Sequence, residues 1–207
     1  LYTVSGGILI SGEMVGTPKL NTIILIIGTA LASIMGTTGA SMLLIRPLIR
    51  ANSFRENKVH LIIFFIFLVS NIGGSLTPIG DPPLFLGFLK GVDFTWTIFN
   101  MYQPMIFVSV TLLLIFYVLD NYFYKKELSK PDTSKKIAIK IDGKINFLLI
   151  IFIIIAVIIS GMEGLKDNSI FSYHGVMMMS LGTFIQLLIL LIVTFISLKI
   201  TPKECRD

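Results

Sequence analysis

Of 207 residues, 54% are hydrophobic and 14% charged, and the mean hydropathy is +0.86, which leaves too few polar side chains to cover a water-soluble globule. The net charge of +5 does not form a basic stripe on a soluble domain; Lys and Arg fall between apolar runs, so the expected partner is a lipid bilayer and not nucleic acid. Cys205 is the single cysteine, which excludes an internal disulfide and a cysteine metal site.

In chain order, Val4 to Ile10 is too short to cross a membrane and reads as the end of a helix whose beginning is missing, or as an interfacial stretch. No basic segment and small-residue cleavage site precede an apolar run, so a removable signal peptide is not expected. Uncharged runs then follow from Leu20 to Ile45, Leu61 to Gly80, Phe94 to Leu119, Ile145 to Met162 and Gly175 to Leu198. Each meets the roughly 17 to 25 residues that a spanning helix requires, which predicts an all-α membrane protein with about five transmembrane helices. Arg46, Arg50, Arg55 and Lys58 follow the first run, and Lys125, Lys126, Lys130, Lys135, Lys136, Lys140 and Lys144 follow the third. Lys199, Lys203 and Arg206 follow the last, and the intervening loops have no positive excess. Single crossings therefore place both basic loops in the cytoplasm. A re-entrant hairpin hidden in the first run would change the local path without spoiling that bias.

Two stretches break the helical pattern, and in lipid every backbone polar group needs an internal partner. The first is Gly36-Thr37-Thr38-Gly39-Ala40-Ser41-Met42. Its glycines and hydroxyls fit an unwound helix, and the small-xxx-small spacing of Gly36 and Ala40 equally fits close helix packing. The second runs from Ser70 through Asn71, Gly73, Gly74, Ser75, Thr77, Pro78, Gly80 and Asp81 to Pro82 and Pro83. Three glycines loosen this backbone, three prolines remove donors, and five side chains supply oxygen ligands, so no continuous helix is expected here. Asp81 before Pro82 also reads as a helix N-cap, and the two roles are compatible. A carboxylate within a bilayer, costing about 2.5 to 3.5 kcal/mol on insertion scales, marks function more often than not. Discontinuous helices near the midplane are how many secondary transporters hold ions, so the two breaks predict one shared site.

Other signals are weaker. His60 and His174 stand at span edges, where a solvated or interfacial imidazole is expected. The glycines lack the Gly-Lys-Ser/Thr of a phosphate loop, and residues 125–144 read as a solvated cytoplasmic linker, so neither nucleotide-driven pumping nor an enzyme is indicated. Trp96, Tyr102, Tyr117, Tyr122 and Tyr124 read as interfacial anchors. No cofactor is expected.

The string SNIGGSLTPIGDPPLFLGF from Ser70 to Phe88 closely resembles the signature of D-type sodium/proton antiporters, within the citrate-transporter-like ion transporter superfamily. GTTGASMLLIRP from Gly36 to Pro47, SGG from Ser5 to Gly7, and the closing TPKECRD extend the resemblance over nearly the whole chain. It implies two inverted repeats of broken helices that enclose an ion site, in a bacterial inner (cytoplasmic) membrane. One repeat is represented, so a missing second transporter half is an expected partner, and the chain reads as a fragment or split product. By motif match Thr37, Thr38, Ser41, Ser70, Asn71, Thr77 and Asp81 fall at or near the site, with Asp81 foremost. Gly36, Gly39, Gly73, Gly74, Pro78, Gly80, Pro82 and Pro83 break the backbone there.

The leading expectation is sodium/proton exchange at a buried carboxylate. Cation-coupled uptake of citrate, a dicarboxylate or another anion is the second, and an inactive truncated remnant or assembly subunit the third. The transported ion, stoichiometry and oligomeric state, a homodimer among the options, are not fixed by these residues.

Overall fold

A computed structural model describes residues 2–12, 14–127, 140–160, 164–165, 168–173 and 176–201. The linker over 128–139, His174 and the last residues, including Cys205, lie outside the described residues.

The first apolar run is not one crossing. A short helix α1 (Tyr2–Gly6) and strand β1 (Leu9–Ser11) precede α2 (Pro18–Met35), whose start is fixed by Pro18 and by the Thr17 hydroxyl accepting the Leu20 N–H. At Gly36 the chain turns and returns as α3 (Thr37–Ala51). The two helices form an antiparallel hairpin. A Cβ on Gly28 would lie 2.9 Å from Leu44 Cδ1, and at the base Asn21 and Asn52 exchange side-chain hydrogen bonds of 3.0 and 2.8 Å. Both ends of the run therefore lie at the same end of the fold.

The second run is also divided. Helix α4 (Val59–Leu68) buries Leu61, Phe65 and Leu68 and stops at Val69. A 3-10 helix spans Ile72–Leu76, and α5 (Pro82–Leu89) starts at the paired prolines. No continuous helix runs from Ser70 to Pro83, as the glycine and proline content requires. Helix α6 (Trp96–Lys126) is 31 residues, about 46 Å at 1.5 Å per residue, and runs past the apolar limit at Leu119 to end beside the hairpin base.

Strand β2 (Lys140–Asp142) pairs antiparallel with β1. Helix α7 (Ile145–Ser160) then leads to a strand pair, β3 (Ser169–Tyr173) and β4 (Val176–Ser180), and to α8 (Leu181–Ile200). The last apolar run thus enters its helix later than Gly175. The Ser180 hydroxyl accepts the Thr183 N–H and sets the start. Helices α7 and α8 pack antiparallel: a Cβ on Gly182 would fall 2.4 Å from Ser160 O, and at the other end Ser197 donates to Asn146 Oδ1 at 2.7 Å.

Among the described residues, four segments are long and apolar enough to cross a membrane: Pro18–Met35, Val59–Leu76, Trp96–Lys126 and Leu181–Ile200. Helix α7 is apolar but shorter, at 16 residues. The core joins α2, α4 and α6 through residues such as Leu25, Phe65, Leu68 and Phe116. Phe99, Phe107, Leu114, Val118, Leu191 and Phe195 project outward at 64 to 73% exposure, as lipid-facing side chains do. The protein is an all-α membrane protein with broken helices.

Candidate functional site

Glycine chemistry brings the two breaks together. Gly36 has φ 83°, a conformation that side chains resist, and a Cβ there would meet Ile79 O at 3.2 Å. Immediately after it, the Thr37 N–H, left free by the start of α3, donates to Gly80 O at 3.0 Å. Gly80 in turn rests on Gly74, where a Cβ would stand 2.1 Å from Gly74 O. Gly73 approaches α2 so closely that a Cβ would lie 2.7 Å from Thr29 O.

Hydroxyls satisfy the unwound backbone. Ser33 donates to Gly73 O at 2.5 Å, Thr77 donates to Ser33 O at 2.5 Å, and Thr77 Oγ1 accepts the Gly80 N–H at 3.2 Å. From α6, buried Thr97 donates to Leu76 O at 2.9 Å. The irregular segment is thereby held from both sides in a setting where an unpaired carbonyl would be costly.

Between the hairpin tip, the start of α5 and the α7–α8 pair lies a cavity of about 400 Å³. Thr37, Thr38, Gly36 and Gly39 line it from one break, and Pro78, Gly80, Asp81 and Pro82 from the other. Asp81 is half-buried and, among the described residues, is the sole charged side chain of the lining. It occupies the N-cap position of α5 with extended φ, yet its carboxylate makes no capping bond: Pro82 and Pro83 offer no N–H, and the Leu84 and Phe85 N–H groups donate to the Asp81 main-chain carbonyl. The acceptor oxygens remain available to the cavity.

The other expected site residues are placed differently. Ser41 and Ser70 bond each other at 2.8 Å and do not line the cavity. Asn71 is exposed, and Thr77 serves α2. Gly73, Gly74 and Pro83 shape the break without reaching the lining. On the far wall, Ile153, Val157 and Leu190 are apolar and Gln186 is not.

A second polar cluster, at the hairpin base, escaped the sequence reading. Arg55 and Asp120 form an ion pair at 2% and 0% exposure. Asn21 donates to Asp120 Oδ2 at 2.9 Å, Arg55 to Gly16 O at 2.6 Å, and the guanidinium lies 5.0 Å from the Tyr124 ring centroid. His60, expected as a solvated or interfacial imidazole, is largely buried and engaged at the span edge. Its Nε2 stands 2.9 Å from Asp120 Oδ1 and its ring stacks on Phe123 at 4.8 Å, because the 31-residue α6 carries Asp120 down to the α4 start. Likewise Arg55 is a packing partner and not a free loop charge.

Neither a curated protein nor a solved structure matches the chain. A family model described as "Putative citrate transport" matches residues 1–207. Two broken helices meeting at a cavity with one uncapped carboxylate are in keeping with that description, and the chain belongs to this citrate-transporter-like family of membrane proteins, CitMHS_2.

Proposed function

We propose that the chain forms the cation-binding part of a secondary-transport site, in which Na⁺ and H⁺ compete for Asp81. The observation that carries this reading is the cavity on which both helix breaks open, with Asp81 as its one charged side chain among the described residues. An ionised carboxylate accepts a cation and a protonated one does not, so occupancy by one ion excludes the other. Hydroxyls of Thr37 and Thr38 offer neutral oxygens of the kind that coordinate Na⁺ in discontinuous helices. A second broken-helix unit would complete the shell, and two copies of the protein could assemble side by side. The setting is the bacterial inner membrane.

The second reading is Na⁺- or H⁺-coupled movement of citrate or a related anion. It draws on the family description and on the N-terminus of α3, which opens on the same cavity and favours negative charge.

Proteoliposomes separate the two. In the first reading, an imposed Na⁺ gradient moves protons without citrate, and Asp81→Asn, which keeps shape and loses charge, reduces this to background while membrane insertion persists. Exchange at wild-type rate with unchanged half-saturating Na⁺ would leave Asp81 as a helix start alone. Na⁺-driven uptake of labelled citrate, absent proton exchange, selects the second reading. Neither activity selects the inactive remnant.

A further inference from the structure

Gln186 is 6% exposed, lines the cavity from α8, and makes no hydrogen bond to any described residue. An aliphatic side chain like its neighbours Ile153, Val157 and Leu190 would complete an apolar wall, whereas an amide there offers a donor and an acceptor with no described partner in the fold. Ser180, Thr183 and Ser197 of this region are hydrogen-bonded within the fold. Among the described residues the Gln186 amide has no partner, and it lines the cavity. Opposite it stand the α3 start and Asp81, whose carboxylate is also uncommitted to the fold.

We infer that Gln186 is a ligand-contacting residue of this site, its Oε1 coordinating the same small monovalent cation that Asp81 holds. This rests on the cation-site reading above and extends it to the α7–α8 wall. One ion bound between Asp81 and Gln186 joins the broken helices to a separate helix pair. A neutral amide oxygen suits that place: with Asp81 it gives the ion one formal negative charge, whereas a second carboxylate would give two.

The test is a Na⁺ titration of the melting temperature of the purified protein in detergent, with choline chloride holding ionic strength constant. Ligand that binds only the folded state raises Tm in proportion to ln(1 + [Na⁺]/Kd). Gln186→Leu should raise the half-saturating Na⁺ about 10- to 100-fold, the effect of losing one group that contacts a charge. Gln186→Glu, which keeps the oxygen, should retain the Na⁺ response, and its folding guards against reading a collapsed Leu variant as a lost ligand. Wild-type half-saturation in Gln186→Leu overturns the inference however Asp81→Asn behaves. So does loss of the response in both Gln186 variants, which would mean that the amide acts through its N–H on another group and not through its oxygen on the ion, and so does a wild-type Tm indifferent to Na⁺. If Gln186→Leu weakens binding while Asp81→Asn does not, the Gln186 contact stands and the role given to Asp81 falls.

Discussion

At the scale of single residues, glycines differ sharply in what they permit. Gly80→Ala would set a Cβ 2.1 Å from the Gly74 carbonyl oxygen, a backbone atom that cannot rotate away, whereas Gly87→Ala in α5 meets nothing nearer than Val92 at 3.8 Å. Gly80→Ala is expected to destabilise by about 1 to 3 kcal/mol, the usual range for overpacking, and to disturb the Thr37 to Gly80 bond. Gly87→Ala should be neutral or gain up to about 1 kcal/mol from helix propensity. Thermal melts of the two in one detergent check this, and equal losses would mean that Gly74 and Gly80 are not packed. The Arg55–Asp120 pair makes a sharper case. Asp120→Asn leaves a buried guanidinium without its counter-charge, so a loss of about 3 to 5 kcal/mol is expected, and the double change Arg55→Met with Asp120→Leu should recover most of it. If Asp120→Asn melts like the wild type, the pair is solvated and not buried.

At the scale of elements, the breaks were legible and their use was not. Three prolines and three glycines between Ser70 and Pro83 cannot sustain a helical ladder, so that interruption follows from composition. Gly36-Thr37-Thr38-Gly39 left unwinding and tight packing open, because small residues serve both; the structure has a turn at Gly36, held by the Thr37 to Gly80 bond, and close packing at Gly39, where a Cβ would stand 2.5 Å from Ser5 Oγ. Thr37, Thr38 and Asp81 could be picked out as oxygen carriers at the breaks. That Ser41 and Ser70 bond each other could not, since spacing in sequence says nothing of which hydroxyls face one another. Ser33, Thr97 and Gln186 are polar residues within apolar runs, a signal present but shared with hydroxyls such as Thr111 that merely return to their own helix. The Asp120 cluster joins positions up to 99 apart, beyond any local pattern. The helix break suggests a further outcome: Ser33→Ala removes the bond to Gly73 O and leaves a carbonyl unpaired, lowering stability by about 1 to 3 kcal/mol, while Ser75→Ala, losing only a local bond to Ile72 O, should cost less.

At the scale of the whole molecule, the hairpin changes the path and keeps the charge pattern. With one crossing from Leu20 to Ile45, Lys19 and Glu56 would face opposite sides of the bilayer. With α2 and α3 joined at Gly36 and bonded base to base through Asn21 and Asn52, both face the same side. Helix α4 then leads away from that side, and α6 returns to it with Lys125 and Lys126, so the basic loops remain together as the charge bias demands. Single cysteines in a Cys205→Ser background test this directly, at the exposed positions Lys19, Glu56 and Val92. In right-side-out vesicles a membrane-impermeant maleimide should spare Lys19→Cys and Glu56→Cys and label Val92→Cys, and inverted vesicles should reverse the pattern. Opposite labelling of Lys19→Cys and Glu56→Cys would mean that the chain crosses once between them, which would take Gly36 away from Gly80 and dissolve the cavity that carries the proposed function.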